Sequence, residues 1–175
     1  MNGLNQSWML PREAINFILE RVEPGAIVVK FGSGHGSEIL AKHCELYSIE
    51  HDEAWLNLTS SRYIHAPIQE NSHSTKVGER GWYDVGRILE SWPSDIQCIV
   101  VDGPPGFIGR TGILSLLNLL KNVPMILIDD VDRLPEMNLA KHLAERMNFD
   151  IQVCDVEKPR EGGTVRRYAV LTRGA

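Results

Sequence analysis

Three glycines follow an apolar run near the start of the chain, in the order Gly32-Ser33-Gly34-His35-Gly36. The run itself, Ile27 to Phe31, is rich in β-branched residues, and a second strand-like run that starts at Leu46 ends on Glu50. Glycine allows tight backbone turns and lets a ligand approach where a Cβ atom would collide. A carboxylate at the end of the next strand can accept hydrogen bonds from both ribose hydroxyls. This order of strand, glycine turn, helix, strand and acid predicts a nucleoside-binding site in a parallel α/β sheet.

The spacing of the glycines helps to decide which nucleoside is bound. A dinucleotide-binding turn has its third glycine one residue later, at the position where this chain has Ser37. The observed order, Gly-x-Gly-x-Gly, therefore fits a nicotinamide or flavin cofactor less well. The sequence also leaves a structural alternative open, in which the glycines only form a strand-to-helix turn and Glu50 caps a helix or lies in solvent.

Acidic residues also follow two later strand-like runs. Asp102 closes the run that starts at Ile96, and Asp129 and Asp130 close the run that starts at Met125. Because the carboxyl ends of neighbouring parallel strands meet at one edge of a sheet, these carboxylates are expected to converge. Such oxygen ligands suit magnesium, calcium or manganese rather than zinc. A divalent cation bound there would lower the pKa of an acceptor hydroxyl.

The same acids allow a structural interpretation. Asp130 and Asp132 precede a helix that is expected to begin near Arg133, and aspartate is a favourable helix cap. Two bare acids would also repel each other in a closed site unless a cation or Arg133 neutralised them. Cation binding and helix capping therefore stand as alternatives.

Alternating strands and helices are predicted to position these groups. The last two strand-like runs have no helix between them, so an antiparallel hairpin is their expected pairing. The elements predict one three-layer α/β domain over residues 1–175, with a mostly parallel seven-stranded sheet and a C-terminal hairpin. The predicted helices are 11–22, 37–43, 53–58, 111–121 and 135–147, and the predicted strands are 27–31, 46–50, 63–66, 96–102, 125–130, 151–156 and 168–171.

Composition argues against several classes of protein. A chain of 175 residues fits one domain, and its formal net charge of −5 argues against a general nucleic-acid binder, which needs a basic face. Three separated cysteines, Cys44, Cys98 and Cys154, suggest neither a disulfide framework nor a thiolate zinc site. No export segment is evident, and no apolar run approaches the roughly 20 residues that span a bilayer. A cytoplasmic location without membrane contact is therefore expected.

The glycine spacing, the position of Glu50 and the hairpin after the fifth parallel strand together resemble the seven-stranded methyltransferases that use S-adenosylmethionine. The resemblance covers nearly the whole chain. It implies that the three glycines pass beneath the methionine part of the cofactor, that Glu50 holds the ribose, and that Asp102 lies where cofactor and acceptor meet. The complete set of implied cofactor contacts is Lys30, Phe31, Gly32, Ser33, Gly34, His35, Gly36, Glu50, His51, Asp102 and Gly103.

A narrower resemblance is to the plant glucuronoxylan 4-O-methyltransferase family and its relatives, and it implies O-methylation of a sugar or sugar acid. Most seven-stranded methyltransferases carry an acid at the position of Lys30, whereas members of this family lack it. Lys30 can then reach the cofactor carboxylate or point into solvent. Three segments carry the resemblance: Phe31-Gly32-Ser33-Gly34-His35 with Ser37, Val101-Asp102-Gly103-Pro104 with Gly106, and Asp130-Val131-Asp132-Arg133.

The strand-end acids look like those of the catechol-type O-methyltransferases, in which an acid and an acid-amide pair hold magnesium. The resemblance implies a Mg²⁺ or Mn²⁺ site at Asp102, Asp129 and Asp130, although Asp130 replaces the amide. Pro105 stands where those enzymes carry a lysine base. His35 is therefore the first candidate for the base, followed by Asp102 and Asp130. Packing of His35 across the turn is the alternative.

Further residues can contact the acceptor. Trp82 and Tyr83 can stack on a substrate or on adenine, or they can be buried against the sheet. The polar segment 69–81 is interpreted as a mobile loop, with a lid as the alternative. Basic residues around the hairpin can attract a carboxylate or phosphate, or can protect the sheet edge from aggregation. These basic residues are Lys158, Arg160, Arg166 and Arg167.

The sequence thus predicts an S-adenosylmethionine-dependent methyltransferase that acts on oxygen of a small-molecule or saccharide acceptor, helped by a divalent cation where one is bound. One alternative is a non-catalytic nucleoside- or metabolite-binding module of the same fold, which the missing lysine base favours. The other is a short NAD(P)-dependent reductase. The identity of the acceptor and the oligomeric state have no diagnostic pattern in the sequence.

Overall fold

The computed structural model describes residues 10–157 and 163–174. A seven-stranded sheet has the strand order β3-β2-β1-β6-β7-β9-β8, and a separate pair joins β4 and β5. The strands are β1 (Ile27–Phe31), β2 (Glu45–Glu50), β3 (Arg62–His65), β4 (Ile68–Gln69), β5 (Trp82–Tyr83), β6 (Ile96–Val101), β7 (Met125–Ile128), β8 (Phe149–Asp155) and β9 (Arg167–Arg173). The helices are α1 (Arg12–Leu19), α2 (His35–Ala41), α3 (Ser72–Lys76), α4 (Val85–Glu90), α5 (Leu117–Leu120) and α6 (Leu134–Met147), with 3₁₀ helices at Glu53–Trp55 and Thr111–Leu116.

The strand directions confirm the predicted fold class. Strands β3, β2, β1, β6 and β7 pair in parallel, whereas β9 is antiparallel to both of its neighbours, β7 and β8. All seven strands of the predicted sheet are present, and the last two form the expected hairpin. The carboxyl ends of β1, β2, β6 and β7 therefore lie along one edge of the sheet, which is where ligands bind in open α/β folds.

Helices cover both faces of the sheet, as a three-layer architecture requires. Along β6, Cys98 and Val100 face a core that includes α1, while Ile99 and Val101 face a core that includes α6. All four side chains are fully buried. Strands buried on both faces have continuous apolar sequences, and this explains why β6 and β7 were evident from the sequence.

Two predicted helices differ from the observed elements. The helix predicted at 53–58 is only the 3₁₀ helix Glu53–Trp55, and Asn57 just beyond it has a positive φ of 58°. Such a left-handed conformation does not continue a right-handed helix. The helix predicted at 111–121 is divided into the 3₁₀ helix Thr111–Leu116 and α5.

The polar segment 69–81 is folded against the domain, which its interpretation as a mobile loop missed. The side chain of Asn71 caps α3, and Ser74 is fully buried and donates to the carbonyl of Gly81 at 3.0 Å. The Glu79 carboxylate accepts hydrogen bonds from Thr111, through the backbone N–H at 2.9 Å and the hydroxyl at 2.7 Å. Local polarity was a poor guide because the contact of Glu79 with Thr111 joins residues 32 positions apart in the chain.

The aromatic pair after this segment belongs to the core. Trp82 is fully buried, Tyr83 is 1% exposed, and their rings lie 5.2 Å and 5.8 Å from the ring of Phe31. Burial against the sheet, and not stacking on a ligand, is therefore the role of both residues. The side chain of Phe31 is likewise fully buried in this core, and the cofactor contact of this residue stays a prediction.

No helix in the described part of the chain is long and apolar enough to cross a membrane.

Candidate functional site

The glycine turn after β1 touches the loop after β6 at the carboxyl edge of the sheet. Gly32 has a φ of +86°, and a Cβ atom built on it would lie 3.1 Å from the Cα atom of Gly103. A Cβ on Gly103 would lie 2.6 Å from the Tyr83 hydroxyl oxygen. Both positions therefore require glycine, because the two backbones approach too closely for a side chain. This contact brings Asp102 beside the turn, as the sequence predicts.

Lys30 lies beneath this contact and is only 1% exposed. Its ammonium group donates to the Gly32 carbonyl at 2.7 Å and to Asp102 Oδ2 at 2.6 Å. A lysine buried this deeply requires such partners, because an unpaired buried charge is very unfavourable. Lys30 therefore neither points into solvent nor extends towards a cofactor carboxylate. It is a positioning residue that joins the glycine turn to Asp102.

Replacing Lys30 with methionine is expected to lower the free energy of unfolding by about 1.5–3 kcal/mol, the usual contribution of hydrogen bonds to a charged group. The loss arises because Asp102, whose side chain is 11% exposed, would keep its charge without a partner. Urea unfolding measures this decrease in the free energy of unfolding. The double variant Lys30→Met/Asp102→Asn should recover part of the loss, and Lys42→Met, which removes an exposed ion pair, should change little. Equal stability of Lys30→Met and the wild type would contradict the positioning role.

Glu50 ends β2, is 4% exposed, and faces the glycine turn. Its Oε2 accepts the N–H of Ser33 at 2.8 Å, and its Oε1 accepts the N–H groups of His51 at 2.7 Å and Asp52 at 3.0 Å. Burial would raise the pKa of Glu50, but the His51 ring and these N–H groups outweigh it and lower the pKa. Glu50 is therefore ionised. A carboxylate oxygen can accept about two hydrogen bonds, so Oε2 can still accept one from a ligand hydroxyl.

The remaining residues of the turn begin α2 and face different surroundings. A Cβ atom on Gly34 would meet no atom within 4 Å, whereas one on Gly36 would lie 3.3 Å from the Leu10 side chain. Gly34 therefore borders open space, and Gly36 packs against the segment that leads into α1. The side chain of His35 is exposed, and no described residue makes a hydrogen bond or ion pair with its ring. Its role as a base stays a prediction.

Arginine side chains neutralise the acids that follow β7. Asp129 is fully buried and makes a short ion pair with Arg166. Asp130 is 5% exposed, and its Oδ2 lies 2.9 Å from Arg110 Nη2 and 3.0 Å from Arg133 Nη2. Asp130 also has a positive φ of 63°, an uncommon conformation for a residue other than glycine. Of these two acids, Arg133 pairs with Asp130, as the sequence argument allowed, whereas the partner of Asp129 is Arg166.

Arg110 links the ends of β6 and β7 and is 3% exposed. Its guanidinium group donates to three backbone carbonyls, those of Pro104 at 3.2 Å, Asp102 at 2.9 Å and Asp129 at 2.9 Å. Burial would lower the pKa of Arg110, but the negative charges of Asp130, Asp102 and Asp129 raise it. Sequence reasoning missed this residue. The signal that it overlooked is an arginine among apolar residues and glycines, between two strands that end in acids.

These contacts do not fit the predicted Mg²⁺ or Mn²⁺ site. Asp102 is bound to Lys30, and Asp129 and Asp130 are bound to arginines. Within residues 10–157 and 163–174, no group of three or more His, Cys, Asp or Glu side chains could hold a metal ion. Guanidinium and ammonium groups already supply the positive charge that a metal would bring. The metal prediction is therefore wrong for these three acids.

The other interpretation of these acids, helix capping, is also wrong. The N-cap of α6 is Arg133 and not an aspartate, and the Arg133 side chain makes no capping hydrogen bond. Asp132 instead accepts the N–H of Arg167 at 3.1 Å, which attaches the start of β9 to the loop after β7. Asp102 and Asp130 are also poorly placed to act as bases, because Lys30 holds the first carboxylate and Arg110 and Arg133 hold the second.

The basic residues of the hairpin divide into two groups. Arg166 extends into the site and contacts Asp129, whereas Arg167 makes an exposed ion pair with Asp155 at 2.7 Å. Of these two described residues, Arg166 contributes to the strand-end cluster, by which we mean the acids and arginines at the carboxyl ends of β6 and β7. Lys158 and Arg160 lie outside the described residues.

No family model matches the sequence, and no curated protein sequence is significantly similar to it. Solved structures do share its architecture. The chain is similar to an rRNA methylase from Streptococcus thermophilus, with 14% identity, a TM-score of 0.61, and coverage of 95% of this chain and 99% of that one. It is also similar to the O-methyltransferase TomG from Streptomyces achromogenes, solved with S-adenosylmethionine, with 13% identity, a TM-score of 0.57, and coverage of 97% and 80%.

A third similar structure is SMU.1697c from Streptococcus mutans, which is described as a candidate methyltransferase and was solved with S-adenosylhomocysteine. It has 13% identity, a TM-score of 0.59, and coverage of 95% of this chain and 99% of that chain. At such identities the likeness shows the fold alone. The chain has the fold of the S-adenosylmethionine-dependent methyltransferases, and these structures give no support to the narrower resemblance to the glucuronoxylan family.

Proposed function

We propose that the protein is an S-adenosylmethionine-dependent methyltransferase. The observation that carries the proposal is the environment of Glu50, a buried and ionised carboxylate at the end of β2 that also binds the glycine turn through Ser33. A carboxylate held in this way, with one acceptor site left on Oε2, suits a hydroxyl of a ribose. The open space above Gly34 is compatible with a ligand that lies over the turn. Similar folds solved with S-adenosylmethionine or S-adenosylhomocysteine add support.

Different residues of the site would hold different parts of the cofactor. Glu50 Oε2 would accept a ribose hydroxyl, with His51 beside it, while Gly32, Ser33 and Gly34 would pass beneath the methionine part. Asp102 Oδ2 is bound to Lys30, and no described donor binds Oδ1. That free oxygen suits the cofactor ammonium group. The bound cofactor would supply an electrophilic methyl group on a sulfonium centre.

Methyl transfer to oxygen of a small molecule or saccharide remains the proposed reaction. An in-line displacement depends chiefly on alignment of the acceptor, which the rigid strand ends would provide. Asp102 and Asp130 are bound to cations, so His35 is the remaining predicted residue that could take a proton from a hydroxyl. RNA is a second candidate acceptor because one similar fold is an rRNA methylase. The net charge of −5 argues against broad nucleic-acid binding.

Calorimetric titration tests the proposal. We expect S-adenosylmethionine and S-adenosylhomocysteine to bind saturably and NADH to give no heat. Heat with NADH alone would favour the reductase, and cofactor binding without turnover of any acceptor would favour the non-catalytic module. Turnover is measured as S-adenosylhomocysteine formed with uronic acids, catechols and RNA. Absence of heat with S-adenosylmethionine, in protein whose folding is verified by circular dichroism, would refute the proposal.

A further inference from the structure

Phe107 is 63% exposed on the loop after β6. Among the phenylalanine, tyrosine and tryptophan side chains of residues 10–157 and 163–174, it alone is largely exposed. A large apolar side chain in water is unfavourable, and an exposed one beside a binding site often belongs to a contact surface. Phe107 takes no part in the contacts described for the residues at the strand ends.

The loop that carries Phe107 is held in place from two sides. Arg110, itself buried, donates from Nε to the Pro104 carbonyl at 3.2 Å. From the other side, the backbone N–H of Arg80 donates to the Ile108 carbonyl at 2.8 Å. The exposure of Phe107 is therefore a property of a fixed loop.

Arg80 adds a positive charge to this surface. Its guanidinium carbon lies 5.6 Å from the centroid of the Phe107 ring, which is a cation–π distance. Arg80 is exposed, and no carboxylate of the described residues lies within ion-pair distance of it. The neighbouring Glu79 is bound to Thr111. The guanidinium group is thus free to bind an anion.

The surface formed by Arg80 and Phe107 adjoins the strand-end cluster of acids and arginines. Its loop begins at Gly103, next to Asp102, and passes Gly106, where an added Cβ would collide with the guanidinium group of Arg133. Arg133 is itself bound to Asp130. The aromatic ring and the free guanidinium group therefore stand at the same edge of the sheet as the groups proposed to meet the methyl acceptor.

We propose that Arg80 and Phe107 form the acceptor-binding surface, and that the acceptor is a planar ring carrying a negatively charged group. The ring would stack on Phe107, where offset or edge-on contact of two aromatic systems is favourable. The carboxylate or phosphate would pair with the guanidinium group of Arg80, whose planar fork fits such anions. The identity of the ligand as a methyl acceptor rests on the proposed function. Binding of a ring-bearing anion does not depend on it.

Titrations with 4-hydroxybenzoate and adenosine 5′-monophosphate test this surface, with phenol and adenosine as their neutral counterparts. Protein saturated with S-adenosylhomocysteine is used, so that adenine cannot occupy the cofactor site, and each titration is repeated without cofactor. We expect each anion to bind more tightly than its neutral counterpart. Phe107→Ala should weaken binding of both anions about tenfold. Arg80→Gln should weaken it about fivefold and reduce its dependence on salt.

Control variants and a further probe complete the design. Leu89→Ala removes another exposed apolar side chain and Lys76→Gln another exposed cation, and both should leave the affinities unchanged. A decanucleotide RNA that binds more tightly than the mononucleotide would identify RNA as the source of the ring and charge, whereas equal affinity would indicate a free small molecule. If Phe107→Ala and Arg80→Gln bind both anions as tightly as the wild type does, the inference is overturned. Failure of S-adenosylhomocysteine to bind, with probe binding still dependent on Phe107, would refute the proposed function alone.

Discussion

Replacing Arg110 with methionine is expected to lower the free energy of unfolding by about 3–5 kcal/mol, the usual cost of removing one partner of a buried ion pair. The arginine is 3% exposed and pairs with Asp130, so its loss leaves a buried carboxylate with less positive charge around it. Three backbone carbonyls at the ends of β6 and β7 would also lose a donor. Urea unfolding followed by circular dichroism measures the change.

Two other substitutions show whether this effect comes from the buried network. Arg110→Lys keeps the positive charge but loses the planar fork of donors, so its stability should lie between those of Arg110→Met and the wild type. Arg173→Met removes an exposed contact to the Lys121 carbonyl and should change stability by less than about 1 kcal/mol. If Arg110→Met unfolds at the same urea concentration as the wild type, the network does not hold the strand ends together.

Replacing Glu50 with glutamine is expected to weaken S-adenosylmethionine binding by about 1–3 kcal/mol, or roughly 5- to 150-fold. The carboxylate is the proposed acceptor for a ribose hydroxyl, and glutamine carries one acceptor oxygen and no charge. Calorimetry measures the affinity. Methylthioadenosine, which has the ribose but no amino-acid part, should show a similar loss. Glu53→Gln, at an exposed acid nearby, serves as the matched control.

Glu50→Gln should also change how the stability of the protein depends on pH in the acid range. Because the folded protein lowers the pKa of Glu50, this residue stabilises the fold above its ordinary value of 4.5, and the contribution is lost as the pH falls through the folded pKa. The stability of Glu50→Gln should therefore fall less steeply than that of the wild type below about pH 4.5. If the free energy of unfolding falls equally with pH in the two proteins, the hydrogen bonds of Glu50 do not outweigh its burial, and the lowered pKa is contradicted.

Much of the fold could be predicted because its signals are local. Buried parallel strands such as β6 and β7 are short apolar runs with turn residues at their ends, and the glycine turn marks the start of α2 by its spacing. Glu50 was singled out because it is the last residue of β2. Its position needs no knowledge of distant contacts.

The partners of the other site residues could not be predicted in this way. Arg166 pairs with Asp129 across 37 positions of the chain, and Lys30 pairs with Asp102 across 72. An acid at a strand end has the same local sequence whether a metal ion or an arginine faces it. The choice depends on which distant side chain the fold brings near, and this explains why a metal site was predicted where arginines lie.

The antiparallel direction of β9 also affects the order in which the site can form during synthesis. Since β9 runs opposite to β7, with Ala169 beside Ile128, the residues that enter β9 lie at the carboxyl ends of the parallel strands. Arg166 thus reaches Asp129 from a late part of the chain. A nascent chain on the ribosome would contain the glycine turn and every strand-end acid before this arginine emerges. The buried Asp129 carboxylate would gain its partner only when the last strand enters the sheet.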